Sequence, residues 1–499
     1  MVFNYCRSKV HLSVLQRYLF LWRNIFRTGH FQFKSGNGSF SLLDSGGNFM
    51  RSVYKYVLFL IVALTGIQQS YCEQKMSLTI KKSIEIALKH NSTIAQERQN
   101  VFSAKAKLGE ARTGFLPKIT GNGNYTKLDV APFMPGKIFA NFSGAPAEAF
   151  PKRIPIGQDQ IYSFGIRVQQ PVFTGFKILN GYKIASLGVK MADEGMKKSE
   201  SEIILKVVES YWNLIKADEF VKVSRDAVEQ MESHVKDLKN MFSLGMITKN
   251  DLLKAKVRLS SMEINLMRAE NGRELAEKAF CNVLGIPLDT ELELTEPLET
   301  AKSDTVSLNQ SIKLALANRP ELKMMKHGIN ISKKAVDIAE AGYLPNIALV
   351  ADYGYKRPDR EYANQFYNTW TVSVVASVNI FDWGETYYKK MQAKSDLIKM
   401  RENFKQVQNG IRLEITSIVL QLQELEQRIS AARENVNQAE ENYKITNNMF
   451  HQGMATNSDV LDASTLLTKA KTDYISALAD YRITMAKYKK AVGRIGKGE

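Results

Sequence analysis

Cysteine is scarce in this chain. Three of its 499 residues are cysteines, and Cys6 and Cys72 lie within the first 72 residues. Only Cys281 remains in the rest of the chain, so no disulfide can form there. This excludes a small secreted fold held together by disulfides, and it leaves the packing of apolar residues as the source of stability.

Catalytic and metal-binding motifs are also missing. The sequence has neither a nucleophile elbow nor a phosphate-binding loop, and its histidines beyond residue 72 stand apart from Cys, His or acidic residues at metal-ligand spacing. We therefore expect no enzyme activity, no cofactor and no metal site. We expect four histidines to be exposed on helices or to line a tunnel: His90, His234, His327 and His451.

The apolar run near the amino terminus, residues 57–67, is too short to span a membrane as a helix. It belongs to a predicted secretory signal peptide, residues 50–72, which has basic residues at its start and small residues at the −3 and −1 positions: Arg51 and Lys55, then Ser70 and Cys72. Cleavage after Cys72 would make Glu73 the first residue of the mature chain. Residues 1–49 show no structural pattern, and we interpret them as lying upstream of the true start; a cytoplasmic extension is the alternative.

Charge excludes another class of protein. The chain has 68 Lys and Arg against 51 Asp and Glu, a net charge of +17, and residues 1–72 hold eight of the basic residues and one acid. The remaining surplus, +10, is scattered over helical segments. Scattered charge does not make a nucleic-acid-binding surface, so we expect no nucleic-acid partner.

Two sixteen-residue segments nearly repeat each other. NMFSLGMITKNDLLKA begins at Asn240 and NMFHQGMATNSDVLDA at Asn448, and the two agree at nine positions. In each segment a Gly can end one helix in the left-handed conformation, and T-x-x-D can start the next helix as a capping-box variant. Each segment is thus predicted to be the tip of a helical hairpin, and the duplication predicts two hairpins side by side.

The duplication extends along most of the chain. SIEIALKHNSTI from Ser83 corresponds to SIKLALANRPEL from Ser311, and about twenty extra residues between Pro117 and Phe173 indicate a loop insertion in the first copy. We divide the chain into a first structural repeat, a connector, a second repeat and a tail: residues 73–284, 285–306, 307–493 and 494–499.

Apolar residues in the predicted hairpins recur at alternating spacings of four and three, which is typical of a coiled-coil seam. The seam of the second hairpin includes Ile418, Leu422, Leu425, Ile429, Ala432, Val436 and Ala439, and that of the first includes Val207, Tyr211, Leu214, Val228, Val235 and Leu238. A helix over residues 384–452 would be roughly 100 Å long at ~1.5 Å per residue.

Four segments between the helices alternate apolar and polar residues, which predicts strands near residues 118–128, 161–172, 346–356 and 369–381. Strands of ~10 residues with this alternation are typical of transmembrane barrels. The residues predicted to face lipid are Phe164, Ile166, Trp370, Val372 and Val374.

A soluble sandwich with one wet face is the alternative for these strands. It is disfavoured because a signal peptide, aromatic residues near strand ends and long coiled coils occur in the same chain. Four strands in lipid would leave the hydrogen-bonding groups of two sheet edges unpaired. The chain is therefore expected to form an oligomer.

The paired motifs of the chain resemble those of one family. These are G-x-x-T-x-x-D-[LV]-L-x-A at Gly245 and Gly453, G-[FY]-L-P at Gly114 and Gly342, and the strand exits PVF at Pro171 and NIFD at Asn379. In these features the chain resembles the TolC-like outer membrane efflux proteins, or outer membrane factors, over nearly all of residues 76–493.

The resemblance implies a mainly α fold with a transmembrane β part. It implies a homotrimer in which four strands per chain form a 12-stranded β-barrel in outer-membrane lipid, continuous with an α-barrel of twelve helices in the periplasm. Residues 285–306 would then lie at the equator of the helical part. The chain would be located in the outer membrane and would extend into the periplasm.

The resemblance also implies roles for the hairpin tips. They would form the periplasmic entrance and contact a membrane-fusion adaptor, through Gly245, Thr248, Asp251, Leu252, Gly453, Thr456, Val460 and Leu461. Capping alone is the alternative role for these residues. The chain departs from the family's best-known member at Ala455, where an Arg would help to hold the entrance shut.

The resemblance matches Asp459 and Asp462 to the aspartates that narrow the entrance in the family's best-known member. They are three residues apart and share a helix face, so threefold symmetry would make them two stacked rings of carboxylates that favour cations. Solvated acids that interact with the helix dipole are the alternative.

The expected function is a passive exit duct supplied by an inner-membrane pump of the RND or ABC type. Small-molecule efflux and type I protein secretion both fit, because the pump determines the cargo. A periplasmic coiled-coil scaffold without a pore fits the helices but leaves the four strands unexplained.

Processing of the amino terminus is directly testable. If Met50 is the start and the signal peptide is cleaved after Cys72, mass spectrometry of the membrane-extracted protein is expected to show a chain that begins at Glu73. Detection of peptides from residues 1–49 would contradict this.

Overall fold

The structure is a computed structural model that describes residues 76–299, 307–361 and 363–496. The predicted signal peptide, the segment before it and residues 300–306 of the predicted connector lie outside the described residues. Helices predominate in the described chain, which confirms the predicted mainly α fold.

The first half of the described chain ends in a long hairpin formed by its last two helices. In chain order its elements are β1 (Met76–Leu78), α1 (Ile80–His90), α2 (Ser92–Thr113), β2 (Lys118–Lys127), β3 (Phe133–Pro135), α3 (Gly136–Ser143), β4 (Arg153–Pro155), β5 (Gln160–Thr174), α4 (Lys177–Ser243) and α5 (Lys249–Leu284).

The second half follows the same order without counterparts of β3, α3 and β4 among its described residues. Its elements are β6 (Leu292–Leu294), α6 (Leu308–Asn318), α7 (Pro320–Glu340), β7 (Asn346–Arg357), β8 (Tyr367–Ser377), α8 (Glu385–His451) and α9 (Asn457–Ala491). Helices α8 and α9 form the second hairpin.

The first arms of the hairpins, α4 and α8, have 67 residues each. At ~1.5 Å per residue each is roughly 100 Å long. The predicted seam positions are largely buried, among them Tyr211, Leu214, Val235 and Leu238 in α4 and Leu422, Leu425 and Ile429 in α8. The hairpins pack side by side through α4 and α9, so the helix order is α5, α4, α9, α8.

A two-stranded parallel sheet joins the halves near the middle of α4. Met76 to Leu78 of β1 pair with Leu292 to Leu294 of β6. The buried Tyr211 hydroxyl donates to the Leu78 carbonyl at 3.2 Å and accepts from the backbone N–H of Glu296 at 3.3 Å. Burial raises the pKa of Tyr211 to about 12. The hydroxyl therefore remains a neutral donor that fixes this sheet to the helix.

The ends of the two hairpins are capped by equivalent contacts. Asn91, between α1 and α2, donates from Nδ2 to the Val283 carbonyl at 2.9 Å. Arg319, between α6 and α7, donates from Nε to the Ala491 carbonyl at 2.7 Å. Both α5 and α9 are followed by a Gly of positive φ, so their last carbonyls are satisfied in similar ways.

The larger sheet has four antiparallel strands in the order β2, β5, β7, β8. Gly123 lies opposite Phe164, and Tyr353 lies opposite Trp370. A β-bulge between Pro171 and Phe173 shifts the pairing of β5 with β7 near the helical end of the sheet. Each half of the chain thus supplies two adjacent strands.

Two details differ from the sequence prediction. Strand β8 ends at Ser377, although the alternation continues to residue 381; Ser377 pairs with Asn346, the first residue of β7, so no neighbouring strand extends further. The insertion in the first half, expected to be a loop, contains the β3–β4 hairpin and helix α3. Its backbone groups pair locally rather than with the larger sheet.

None of the described helices is both long and apolar enough to cross a membrane. The thiol of Cys281 is buried in α5, and its Sγ donates a weak hydrogen bond to the Thr290 carbonyl at 3.6 Å. Burial raises the pKa of this thiol, so Cys281 acts as a packing residue.

Two glycines with the same backbone conformation differ in their surroundings. Gly285 and Gly245 both have φ of 74°, but a Cβ on Gly285 would lie 2.8 Å from the His90 carbonyl oxygen, whereas a Cβ on Gly245 would meet nothing within 4 Å. Gly285→Ala is expected to cost about 1–3 kcal/mol more than Gly245→Ala because it adds overpacking to the same strain. Thermal unfolding in detergent measures the difference, and equal losses would contradict it.

Candidate functional site

The register of the four-stranded sheet separates apolar from polar side chains, because directly opposed residues of antiparallel strands share a face. One face carries Ile119, Tyr125, Tyr162, Phe164, Ile166, Val168, Leu349, Ala351, Tyr353, Trp370, Val372 and Val374. The opposite face is mainly polar, with Thr120, Asn122, Asn124, Ser163, Arg167, Gln169, Asp352, Thr369, Thr371 and Ser373.

The apolar face is not covered by the described part of the chain. The five residues predicted to face lipid all lie on it and are 53–71% exposed: Phe164, Ile166, Trp370, Val372 and Val374. On the polar face Arg167 Nε donates to Asp352 Oδ1 at 2.7 Å across β5 and β7. An exposed apolar patch of this extent suits a nonpolar environment rather than water.

Aromatic side chains lie at both ends of the sheet. At the end away from the helices the rings of Tyr125 and Tyr162 are 4.8 Å apart, and at the helical end those of Phe381 and Trp383 are also 4.8 Å apart. Trp383 is 87% exposed. Two aromatic zones that flank an apolar band are typical of a β-barrel at the two membrane interfaces.

The sheet is open at both edges. Within the described residues, β2 pairs only with β5 and β8 only with β7. One side of each edge strand therefore presents backbone N–H and C=O groups without a strand partner.

The hairpin tips have the same backbone. The N–H of Met246 donates to the Met241 carbonyl at 2.9 Å, and the N–H of Met454 to the Met449 carbonyl at 2.8 Å. Gly245 and Gly453, which precede Met246 and Met454, both have φ of 74°. These are Schellman motifs that require the left-handed conformation at the Gly, as the repeated sequence predicted.

Each tip continues into a capping box. Asp251 N–H donates to Thr248 Oγ1 at 3.2 Å, and Thr248 N–H donates to Asp251 Oδ2 at 3.3 Å. The equivalent distances are 3.3 Å and 2.8 Å for Thr456 and Asp459. The predicted T-x-x-D caps are therefore confirmed at the start of α5 and of α9.

The two acids at the start of α9 differ in their bonds. The hydroxyl and N–H of Thr456 lower the pKa of Asp459, which keeps this carboxylate ionised. Asp462 lies one turn later and is exposed, with no hydrogen-bond partner among the described residues. Asp251 caps α5 in the same way as Asp459 caps α9, so the cap alone does not distinguish Asp251 from Asp459.

The predicted contact residues at the tips fall into two groups. Gly245, Thr248, Gly453 and Thr456 are exposed, and Asp251 and Leu461 are partly exposed. The side chains of Leu252 and Val460 are buried in the cluster that holds the tips together, so they present little surface to a partner. The exposed apolar side chains at the tips are instead Leu244, Met246, Leu253 and Met454.

A buried polar contact between the hairpins was missed by the sequence analysis. His234 of α4 is 4% exposed, and its Nε2 lies 2.9 Å from Oδ1 of Asn457, the first residue of α9. Asn457 is also 4% exposed, and its Nδ2 donates to the Asp251 carbonyl at 3.1 Å. The expectation that His234 is exposed or lines a tunnel is wrong, because His234 packs against the second hairpin.

Three further observations concern charge at the tips. Burial lowers the pKa of His234, an effect that the bond to Asn457 partly offsets. Ala455 packs against the buried cluster of the tips, and its methyl group cannot form a polar contact that would hold an entrance shut. Within the described ranges, no three His, Cys, Asp or Glu residues are placed to hold a metal ion.

The extended sheet and paired helical hairpins define a class of outer-membrane duct proteins. The family model "Outer membrane efflux protein" matches residues 83–285 and 311–494. The chain therefore belongs to the outer membrane efflux protein family. Its place is the outer membrane, with an extension into the periplasm.

Individual proteins of known name are similar to the chain. The alkaline protease secretion protein AprF of Pseudomonas aeruginosa is 24% identical over 64% of this chain and 69% of its own length. The outer membrane efflux protein BepC of Brucella suis is 23% identical over 84% of this chain and 86% of its own length. The CmeC outer membrane channel of Campylobacter jejuni has the same fold, with a TM-score of 0.71 and 18% identity over 84% of this chain and 87% of that one.

The apolar sheet face can be tested with a matched pair of neighbours on β8. Val372→Lys would place a charge in lipid and is expected to cost ~2–4 kcal/mol near the bilayer midplane, whereas Ser373→Lys on the polar face is expected to be tolerated. The amount of folded protein in the outer-membrane fraction measures both. Equal tolerance of the two substitutions would refute a lipid-facing role for Val372 and its neighbours.

Proposed function

We propose that this protein is the trimeric exit duct of a tripartite export system. It would conduct cargo passively from a periplasmic adaptor and an inner-membrane pump to the exterior. One observation carries the proposal: a four-stranded sheet with an exposed apolar face and two open edges is joined directly to helical hairpins ~100 Å long. The sheet suits lipid, and hairpins of this length suit the periplasmic space.

The proposed trimer would close the open sheet into a barrel. Edge groups of β2 and β8 cannot stay unpaired in lipid, so β2 of one copy would pair with β8 of the next. Three copies would close a barrel of twelve strands. The polar face, with the Arg167–Asp352 pair, would line its water-filled interior.

The hairpins favour the same symmetry. In the helix order α5, α4, α9, α8 the outermost helices are α5 and α8. Each carries exposed apolar residues that another copy can cover: Leu253, Val257, Ile264, Met267 and Leu275 on α5, and Leu413, Leu420 and Ile445 on α8. Contact between α5 of one copy and α8 of the next would complete an α-barrel of twelve helices built from two repeats per chain.

The tips would meet the adaptor at the periplasmic end. Their exposed surface combines the turn residues Gly245 and Gly453 with the apolar side chains of Leu244, Met246 and Met454. Because the backbone of both tips is fixed by Schellman motifs and capping boxes, this surface is already ordered for a partner. The partners would be an adaptor and a pump of the RND or ABC type.

Two kinds of cargo have support among relatives. BepC is named as an efflux protein, which favours small-molecule efflux, and AprF is named as a protease secretion protein, which favours type I secretion. A periplasmic scaffold without a pore is disfavoured by the exposed apolar face of the sheet.

The proposed entrance can be tested in planar lipid bilayers with purified trimer. The Asp459→Ala, Asp462→Ala double variant is expected to lose cation selectivity and to conduct more, because two rings of like charge would be removed. The difference is expected to shrink in high salt, since the Debye length is ~10 Å at 0.1 M.

Asp251→Ala is the matched control, since it removes the equivalent cap at α5 but leaves Asp459 and Asp462 in place. It is expected to change selectivity less than the double variant. If the double variant matches the parent in conductance and selectivity at low salt, these acids do not line the constriction. If the parent forms no channel at all, the duct itself is refuted.

A further inference from the structure

The contact between His234 and Asn457 joins the two hairpins where they meet at the tips. All four helices contribute to the apolar cluster of the tips, and its Phe450 contacts the ring of His234. The buried members of the cluster are Val235, Leu238, Leu252, Ala255, Phe450 and Val460. Polar groups are rarely buried in such a cluster unless each is bonded, because an unbonded one loses its hydration without compensation. This pair is therefore a buried polar link at the apolar cluster of the tips.

The hydrogen-bond directions are determined by one carbonyl. The backbone oxygen of Asp251 can only accept, so the group of Asn457 that faces it is the Nδ2 amide. Oδ1 of Asn457 then faces His234 and must accept a hydrogen from Nε2. Asn457 thus connects α4 and α5 of the first hairpin to the first turn of α9.

The surroundings of His234 suit the neutral imidazole. The ring of Phe450 on α8 lies 5.1 Å away, edge to face. Asp237 on α4 favours the protonated form and His451 on α8 disfavours it, but burial is the largest effect and lowers the pKa from its ordinary value of 6.5. On α5 the carboxylate of Asp251 is bonded to Thr248, and on α9 that of Asp459 is bonded to Thr456.

We propose that His234 and Asn457 form a clamp that holds the tip of the second hairpin against the first and keeps the periplasmic entrance closed until His234 is protonated. The proposal rests on the proposed function as a gated duct. The clamp would give this chain a polar contact that holds the entrance closed, which the side chain of Ala455 cannot provide.

The direction of the pH response follows from linkage. In the closed state His234 is buried and its pKa is lowered, whereas in an open state it would be solvated with a pKa near 6.5. Well above pH 6.5 His234 is neutral in both the closed and the open state, and the clamp has its full strength. As the pH falls below 6.5, His234 takes up a proton in the open state before it does so in the closed state. The ratio of closed to open state therefore falls by up to about tenfold per pH unit in each subunit.

Conductance of purified trimers in planar bilayers tests the clamp between pH 7.5 and pH 5. The parent is expected to conduct little at pH 7.5 and at least about twofold more at pH 5. His234→Gln retains a donor for Asn457 but cannot take up a proton, so it is expected to remain closed at both values. Asn457→Leu has a similar volume and breaks both bonds, so it is expected to be open at both.

His451→Gln is the matched control, because His451 is the exposed histidine of the same tips and has only the smallest effect on His234, so a pH response is expected to remain. A purely structural role for His234 would leave His234→Gln responsive to pH. A pH-independent parent, a His234→Gln variant that responds like the parent, or an Asn457→Leu variant that is closed at pH 7.5 would each overturn the clamp.

Hydrogen exchange of the backbone at residues 454–460 gives a second measurement that needs no conduction. Exchange there is expected to rise at pH 5, after correction for its intrinsic pH dependence, in the parent and not in His234→Gln. Channels that conduct but fail these comparisons would refute the clamp alone. A protein that forms no channel would refute the duct and the clamp together.

Discussion

The need to pair every backbone hydrogen-bonding group in lipid governs this structure. The four-stranded sheet has an apolar face suited to lipid, yet β2 and β8 each leave one edge without a strand partner in the described chain. Water can satisfy such groups at the surface of a soluble protein, but lipid cannot. The open edges therefore make the sheet incomplete as a single chain, and the outer helices α5 and α8 carry exposed apolar residues where further copies would pack.

The sheet is coupled to the long helices by a two-residue connection after β5 and a seven-residue connection after β8. Strand β5 leads into α4 through Gly175 and Phe176, and Trp383 and Gly384 precede α8; all four residues have positive φ. A Cβ on Gly175 would lie 2.8 Å from the Ala341 carbonyl oxygen, so this turn also packs tightly against the end of α7. Such connections leave little freedom between the membrane part and the hairpins, and any movement that opens the duct is expected at the opposite end.

Each tip is ordered by local bonds, but the two tips are joined to each other by few contacts. Schellman motifs and capping boxes fix each turn by local bonds, so the backbone of each turn is held by residues of its own tip. The contact between the tips is different, because it depends on one buried His, one buried Asn and a small apolar cluster. A few non-local contacts between otherwise rigid hairpins provide a natural place for a two-state change.

Local patterns allowed the sequence to determine the elements: the periodicity of Leu422, Leu425 and Ile429, the Gly and T-x-x-D of the tips, and the alternation of the strands. These follow from bonds and spacings within a few residues of the chain. The tertiary structure alone decided that β8 ends at Ser377, because that depends on where β7 begins. It also decided that Leu252 and Val460 are buried and that His234 meets Asn457, 223 residues away, because such contacts depend on how the two hairpins pack together.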